Sequence, residues 1–299
     1  MTNLDVYEPR EDSTLLELYV RQYAKGSVLD IGTGSGIQAI AAANNNKVKQ
    51  VIATDIQDSI IKFNKKNINN NILKNQRFLG HKKSKGFFRE IKFLKSDLFN
   101  NINNKKFDTI IFNPPYLPQE LKLKDLTLEG GKKGYEVIER FLNEVNNHLK
   151  SDGIALIVFS SLTKKEKVDE LIKNNLLEFE ELAKKHIFFE DLYVYLIKKS
   201  SILKKLDNKK IKDIKDFANG KRGIVFTGKY NDKKIAIKIK NPKSDAVLKI
   251  NNEINFLKIL NKKNIGPKLL FYDNDFLAYE FVEGINISEF LEKPIINKK

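Results

Sequence analysis

The sequence predicts an α/β domain built on a doubly wound, mainly parallel sheet, followed by a second, smaller α+β domain. Three observations predict this. Short apolar runs alternate with stretches of helical periodicity from residue 13 to residue 198, which is the pattern of successive βαβ units. The first of these runs breaks into a glycine-rich turn directly before a helical stretch. Beyond residue 200 the pattern changes to β runs joined by tight turns. The expected division is therefore 1–199 and 200–299.

Taken in order, STLLELYVRQY (13–23) has apolar residues at helical spacing, and Thr14 with Glu17 has the form of a capping box. SVLDI opens the first strand, and DIGTGSG turns the chain into the helix IQAIAAANN. VKQVIATDI (48–56) is a second strand ending near Asp55, followed by the helix DSIIKFNKKNINN. Residues 74–90 are polar, basic and loop-like apart from Phe87 and Phe88. IKFLKSDLF (91–99) and FDTIIF are the third and fourth strands, and GYEVIERFLNEVNNHLK (134–150) is a strongly amphipathic helix. GIALIVFSS (153–161) is a fifth strand, and TKKEKVDELIKNN a further helix. LEFEELAKKHIFF and DLYVYLIKK form a terminal antiparallel pair. In a doubly wound sheet, ligands bind at the carboxyl ends of the strands. Asp30, Asp55, Asp97 and Asn113 all fall at such ends and should gather on one edge.

Composition narrows the chemistry. With 41% hydrophobic residues the chain reads as a folded globular protein. No apolar run is long enough to span a bilayer, and the N-terminus lacks a signal pattern. There are no cysteines, and His81, His148 and His186 are scattered without ligand spacing. Disulfides and a metal site are therefore not expected, and a cytoplasmic location fits. The net charge of +16 allows two readings. One is an acidic partner such as RNA; the other is a Lys-, Asn- and Ile-rich composition with lysines spread everywhere. Weak non-specific affinity for nucleic acid follows from either.

Two local motifs carry the function. In DIGTGSG the glycines are Gly32, Gly34 and Gly36, so the last glycine of a dinucleotide fingerprint is replaced by Ile37. A P-loop is absent as well. What remains is an acid and three alternating glycines, a turn that lets backbone approach a ligand closely. The second motif is FNPPYLP (112–118). Pro114 and Pro115 stop the fourth strand, and Asn113 is held extended before them. A stiff corner at a strand end thus carries one amide side chain and one aromatic ring.

The glycine turn, with Asp55 and Asp97 following in order, resembles the cofactor site of the seven-stranded S-adenosylmethionine-dependent methyltransferases. The resemblance implies that Asp55 holds the ribose hydroxyls and Asp97 lies near the adenine amine. In that superfamily Asn-Pro-Pro-Tyr after the fourth strand marks enzymes that methylate planar nitrogens. The Asn113 side-chain carbonyl and the Pro114 backbone carbonyl would each accept one N–H of the acceptor, with Tyr116 packed against it.

VYEPREDSTLL (6–16) and EGGKKGYEVIERFL (129–142) resemble segments of the HemK-like protein glutamine N5-methyltransferases, in their archaeal and eukaryotic branch. The resemblance covers about residues 4–198. It implies methyl transfer to the glutamine of the Gly-Gly-Gln motif of a class 1 peptide-chain release factor, and often a small zinc-ribbon activator subunit. By position, Tyr7, Pro9, Glu11 and Asp12 would close the cofactor pocket. Asp30, Gly32, Gly34, Asp55, Asp97 and Leu98 would bind S-adenosylmethionine, and Asn113, Pro114, Pro115 and Tyr116 would hold the target amide. The basic stretch 74–90 departs from the family pattern and reads as an insertion or a substrate contact. The alternative is an adenine-N6 methyltransferase acting on RNA or DNA, which the net charge and the same motif also allow.

Residues 200–215 read as a linker or a short helix. After them, GKRGIVFTGKY with AIKIK (236–240) resembles the small lobe of a protein-kinase-like fold, especially the atypical archaeal kinases. That resemblance implies an ATP site with Lys238 on the phosphates, Glu253 as its helix partner and YEFVEG (279–284) as hinge. The glycines Gly220, Gly223 and Gly228 do not match a kinase glycine loop, and the sequence ends at Lys299 before the catalytic-loop and metal-binding acids would occur. Phosphoryl transfer by this chain alone is not expected. Residues 216–299 are expected to be either a docking module or the start of a longer methyltransferase–kinase fusion.

Overall fold

In the computed structural model of the chain, residues 9–67, 89–116, 133–220, 223–240 and 249–284 are described. The chain divides into two compact units, Met1–Asp207 and Asn208–Lys299. Tyr7, most of the basic stretch 74–90 and residues 117–132 lie outside the described residues.

The first unit runs α1 (Glu11–Tyr23), β1 (Gly26–Ile31), α2 (Ile37–Ala43), β2 (Val48–Asp55), α3 (residues 58–67), β3 (Ile91–Lys95) and β4 (Phe107–Phe112). It continues with α4 (Glu136–His148), β5 (Leu149–Ser160), α5 (Lys165–Asn174), β6 (Leu177–Ile187), β7 (Glu190–Lys199) and α6 (Ser201–Asn208). The seven strands form one sheet in the order β3-β2-β1-β4-β5-β7-β6. The first five pair in parallel, and β7 enters antiparallel between β5 and β6. The α/β doubly wound expectation and the terminal antiparallel pair are both met.

Helices cover both faces of a parallel sheet, so its strands read as unbroken apolar runs. Val28, Leu29, Ile110, Ile111 and the β5 run Ala155–Phe159 are all buried. The amphipathic α4 buries Ile138, Phe141, Leu142 and Val145, and Phe141 stacks on Phe99 and against Phe112. That contact anchors the end of β4, where the Asn-Pro-Pro-Tyr corner begins.

Register aligns the carboxyl ends of the central strands. Ile31 pairs with Thr54 on one side and Phe112 on the other. Gly32, Asp55 and Asn113 therefore leave the sheet at one level. The β2–β3 register ends at Asp55 with Lys95, and the Ser96 N–H bonds the Asp55 carbonyl at 2.9 Å. β3 thus stops at Lys95, not Phe99, and Asp97 sits in the turn beyond it.

One local expectation is corrected, and one pair of alternatives is decided. Thr14 and Glu17 do not form a capping box, because α1 starts at Glu11 and Thr14 already lies in its first turn. The Thr14 hydroxyl donates back to the Arg10 carbonyl at 2.7 Å, and Glu17 pairs with Arg21 one turn later. For residues 200–215, read as a linker or a short helix, the short helix is the alternative that holds. Ser201–Asn208 form α6, which buries Leu203 and Leu206, and β8 begins at Lys212. The Lys199 ammonium, fully buried, is paired with Asp207 on α6, and Lys204 of α6 pairs with Asp152 at 2.7 Å.

The second unit contains β8 (Lys212–Gly220), β9 (Gly223–Tyr230), β10 (Lys233–Ile239), α7 (Lys249–Asn261), β11 (Leu269–Tyr272) and β12 (Phe276–Glu280). The strands form an antiparallel sheet in the order β11-β12-β10-β9-β8. β11 has no counterpart in the sequence reading: it is four residues long and shows no alternation of buried and exposed positions. Ile250 and Ile254 of α7 pack with Leu277 of β12 in a small core. Among the described residues, no helix is long and apolar enough to cross a membrane, and no cluster of His, Cys, Asp or Glu could hold a metal ion.

Candidate active site

A cavity of about 570 Å³ opens at the carboxyl edge of the sheet. Its wall takes residues from the start of α1, the β1–α2 turn, the ends of β2 and β4, the turn after β3, helix α4 and the tip of the β6–β7 hairpin. Of the residues singled out in the sequence, Glu11, Asp12, Gly32, Gly34, Asp55, Asp97, Leu98, Asn113, Pro114, Pro115 and Tyr116 line it. Pro9 is exposed and does not.

The glycine turn takes its shape from backbone angles that side chains disfavour. Gly32, Gly34 and Gly36 have φ of +62°, +50° and +85°, the left-handed region that glycine enters without a steric cost. The turn is held by acids on both sides. The Gly34 N–H donates to Asp55 Oδ2 at 3.1 Å and the Gln57 N–H to Asp55 Oδ1 at 3.0 Å. Burial pushes the Asp55 carboxyl above its ordinary pKa, against these backbone bonds. Asp55 ends β2 at the cavity wall, as a ligand for a pair of hydroxyls must.

Asp30 takes a different place from the one the resemblance implies. It is 1% exposed and does not line the cavity. Its Oδ2 accepts the Thr33 hydroxyl at 2.7 Å and the Ala39 N–H at 3.1 Å. Asp30 therefore ties the glycine turn to the start of α2 from behind. Burial raises its pKa to about 7. An acid whose folded pKa is raised binds its proton more tightly in the native state, so stability falls as pH rises from about 4 to about 7. Asp30→Asn should flatten this slope. Urea denaturation of both proteins at pH 4.5 and pH 7.5 checks it: the wild type loses more stability than the variant between the two pH values.

The turn after β3 places Asp97 and Leu98 on the cavity. Leu98 is buried with φ +45°, a strained angle for a leucine. Ser96 holds it there by donating its hydroxyl to the Leu98 carbonyl at 2.9 Å. Asp97 pairs with Arg140 of α4 at 2.8 Å, half-exposed at the rim.

At the opposite motif, Asn113 Nδ2 donates to Asp12 Oδ2 and to Ser13 Oγ, each at 3.2 Å. The Tyr116 hydroxyl donates to the same Asp12 oxygen at 3.1 Å. A carboxylate only accepts, so Asp12 fixes which end of the Asn113 amide faces it. The other end, Asn113 Oδ1, is buried with no hydrogen-bond partner among the described residues. Burying an acceptor unpaired costs about 1–3 kcal/mol, a cost removed when a ligand N–H arrives. Gln38 Oε1 and Glu190 Oε2, also of cavity-lining residues, are unpartnered in the same way.

The residues fit S-adenosylmethionine: an open glycine turn, an acid at the end of β2 and an acid–leucine turn after β3 surround one cavity. The sequence reading missed Ser13, Gln38, Arg140, Phe188 and Glu190 as cavity residues. Ser13 and Gln38 meet through the Gln38 amide and the Ser13 carbonyl at 2.8 Å, across 25 residues of sequence. Of these two, Ser13 falls within the VYEPREDSTLL motif, and Gln38 in none.

Comparison with known proteins identifies the family. The family model of the methyltransferase small domain matches residues 11–189. A Methanocaldococcus jannaschii protein carrying the provisional name protein N5-glutamine methyltransferase is 35% identical over 196 residues, 64% of this chain and 90% of that one. The ribosomal protein uL3 glutamine methyltransferase of Francisella tularensis is 31% identical over 44% of this chain and 40% of its own length. The release factor glutamine methyltransferase of Rhodopirellula baltica is 29% identical over 53% of this chain and 55% of its own. The chain thus spans about half or less of the latter two. The chain belongs to the methyltransferase small domain family and is an S-adenosylmethionine-dependent N-methyltransferase with protein glutamine methyltransferases among its relatives.

Proposed function

We propose that the first unit methylates a protein glutamine side chain, that of the Gly-Gly-Gln motif in a class 1 release factor. The observation that carries this reading is the buried, unpartnered Asn113 Oδ1, whose direction is set by the Asp12 carboxylate. An amide nitrogen shares its lone pair with its carbonyl and is a poor nucleophile. Asn113 Oδ1 accepts one of its N–H groups and the Pro114 carbonyl the other, which turns the lone pair toward the donor side of the cavity. Bound S-adenosylmethionine supplies an electrophilic methyl group, and the chain supplies position. Fixed geometry of this kind is worth up to about 7–11 kcal/mol.

Asp55 belongs to the donor side. Asp55→Ala should weaken S-adenosylmethionine binding about 10–100-fold, since a charged hydrogen-bond partner contributes about 1.5–3 kcal/mol. Isothermal titration with the cofactor measures it.

The test of substrate class is transfer of labelled methyl to a purified release factor, its Gly-Gly-Gln→Gly-Gly-Ala variant and bulk RNA. A parallel reaction contains a small zinc-ribbon activator, which the family resemblance brings into the reading. Label on the wild-type factor alone supports it; label on RNA alone replaces it with base methylation.

For the second unit, one contact favours the small-lobe reading. Lys238 of β10 pairs with Glu253 of α7 at 2.6 Å, as a phosphate-binding lysine and its helix partner would. ATP binding lost in Lys238→Ala is the test of that reading.

A further inference from the structure

The tip of the β6–β7 hairpin has features that the fold does not require. The two strands pair out to Ile187 and Glu190, leaving Phe188 and Phe189 as the turn. Two-residue hairpin turns favour Asn-Gly or Asp-Gly because their central residues need positive φ. Here Phe188 has φ +42°, which is rare for an aromatic residue. The rings gain little packing in return: Phe188 is 85% exposed and Phe189 98%. Strained backbone and bare aromatic surface together are the signature of a contact made with something else.

Register says where the tip stands. Phe112 of β4 pairs with Ile157 of β5, which pairs with Tyr195 of β7. Asn113, one residue on, is level with Val194. Glu190 lies four residues farther out, so the tip reaches roughly 13 Å past the sheet edge. It turns toward the reaction site, because Ile187, Phe188 and Glu190 line the same cavity as the Asn113–Tyr116 corner. Glu190 Oε2 is buried there with no partner among the described residues.

We propose that this hairpin tip is the acceptor clamp, and that it selects an extended peptide. Phe188 and Phe189 cover the backbone beside the target side chain, and Glu190 accepts one of its backbone N–H groups. Charge favours a peptide over a nucleic acid. Glu11, Asp12, Asp55, Asp97 and Glu190 line the cavity against Arg10 and Arg140, an acidic surround that repels phosphates and accepts N–H donors. The inference rests on the protein-glutamine reading above and adds the surface that would enforce it.

The test uses the full chain with three changes: Phe188→Ala/Phe189→Ala together, Glu190→Ala and Glu190→Gln. Two quantities are read with a class 1 release factor: KM in labelled transfer, and Kd of the factor for enzyme held with S-adenosylhomocysteine, where no transfer occurs. The double variant should raise both about tenfold or more, since each ring that the peptide would cover forfeits its apolar contact, while its cofactor Kd and thermal midpoint hold or improve. Glu190→Ala should raise KM, and Glu190→Gln, which keeps an acceptor oxygen, should restore most of it. Unchanged KM and Kd in the double variant overturn the clamp and leave the glutamine reading intact. Hairpin-dependent binding without transfer keeps the clamp and overturns the catalytic reading. A wild type that neither binds nor methylates the factor overturns both.

Discussion

Asn113→Ala should lower methyl transfer by about 10²–10³-fold or more, the loss seen when one preorganised hydrogen-bonding group is removed from a reacting centre. Affinity for S-adenosylmethionine should stay within about twofold, because the Asn113 side chain makes no bond to the glycine turn or Asp55, and Asp12 keeps its bond from the Tyr116 hydroxyl. Alanine removes a buried unpaired oxygen but also the amide's bonds to Asp12 and Ser13, so the two effects offset and the variant's stability should stay close to that of the wild type. A matched pair of measurements, steady-state transfer and cofactor titration, separates this from a folding defect. Asn113→Ala with full activity would place the acceptor elsewhere.

Asp207→Ala should be strongly destabilising. Its carboxylate pairs the Lys199 ammonium, whose side chain is fully buried, while Asp207 keeps about a quarter of its surface exposed. Removing one partner of a buried pair leaves an uncompensated charge and costs about 3–5 kcal/mol. The lower end, about 3 kcal/mol, is expected because water reaches the Asp207 side. Burial already holds the Lys199 pKa below its usual value, and Asp207 is the group that opposes this. Urea denaturation followed through the first unit's transition measures the loss. Replacing both residues together, Lys199→Met with Asp207→Leu, should recover most of it, since apolar substitutes do not need each other's charge.

Much of the first unit was legible because its signals are local. A strand that ends in glycines, or in two prolines, has few alternatives. The alternation of apolar runs and helical stretches then orders the sheet and brings Gly32, Asp55 and Asn113 to one edge. What could not be read are relations between distant segments. Asp12 orients Asn113 across 101 residues, and nothing in either neighbourhood announces the pair. Asp30 reads like a cofactor ligand because it precedes the glycines; in the fold its side chain turns back to Thr33 and Ala39. Phe188 and Phe189 continue an apolar run and so read as strand, though they form the turn. The misplaced capping box has the same origin: the Thr14–Glu17 spacing is correct, but the N-cap of α1 is Arg10, four residues before Thr14.

The central claim is that Asn113 and its Pro-Pro corner hold a glutamine side-chain amide for methylation. Mass-spectrometric mapping of a class 1 release factor after incubation with the wild-type chain and S-adenosylmethionine tests it most directly. A methyl group on the side-chain nitrogen of the Gly-Gly-Gln glutamine, absent when Asn113→Ala replaces the wild type, is the predicted result. A methyl group on another residue, or one that persists with Asn113→Ala, would contradict it.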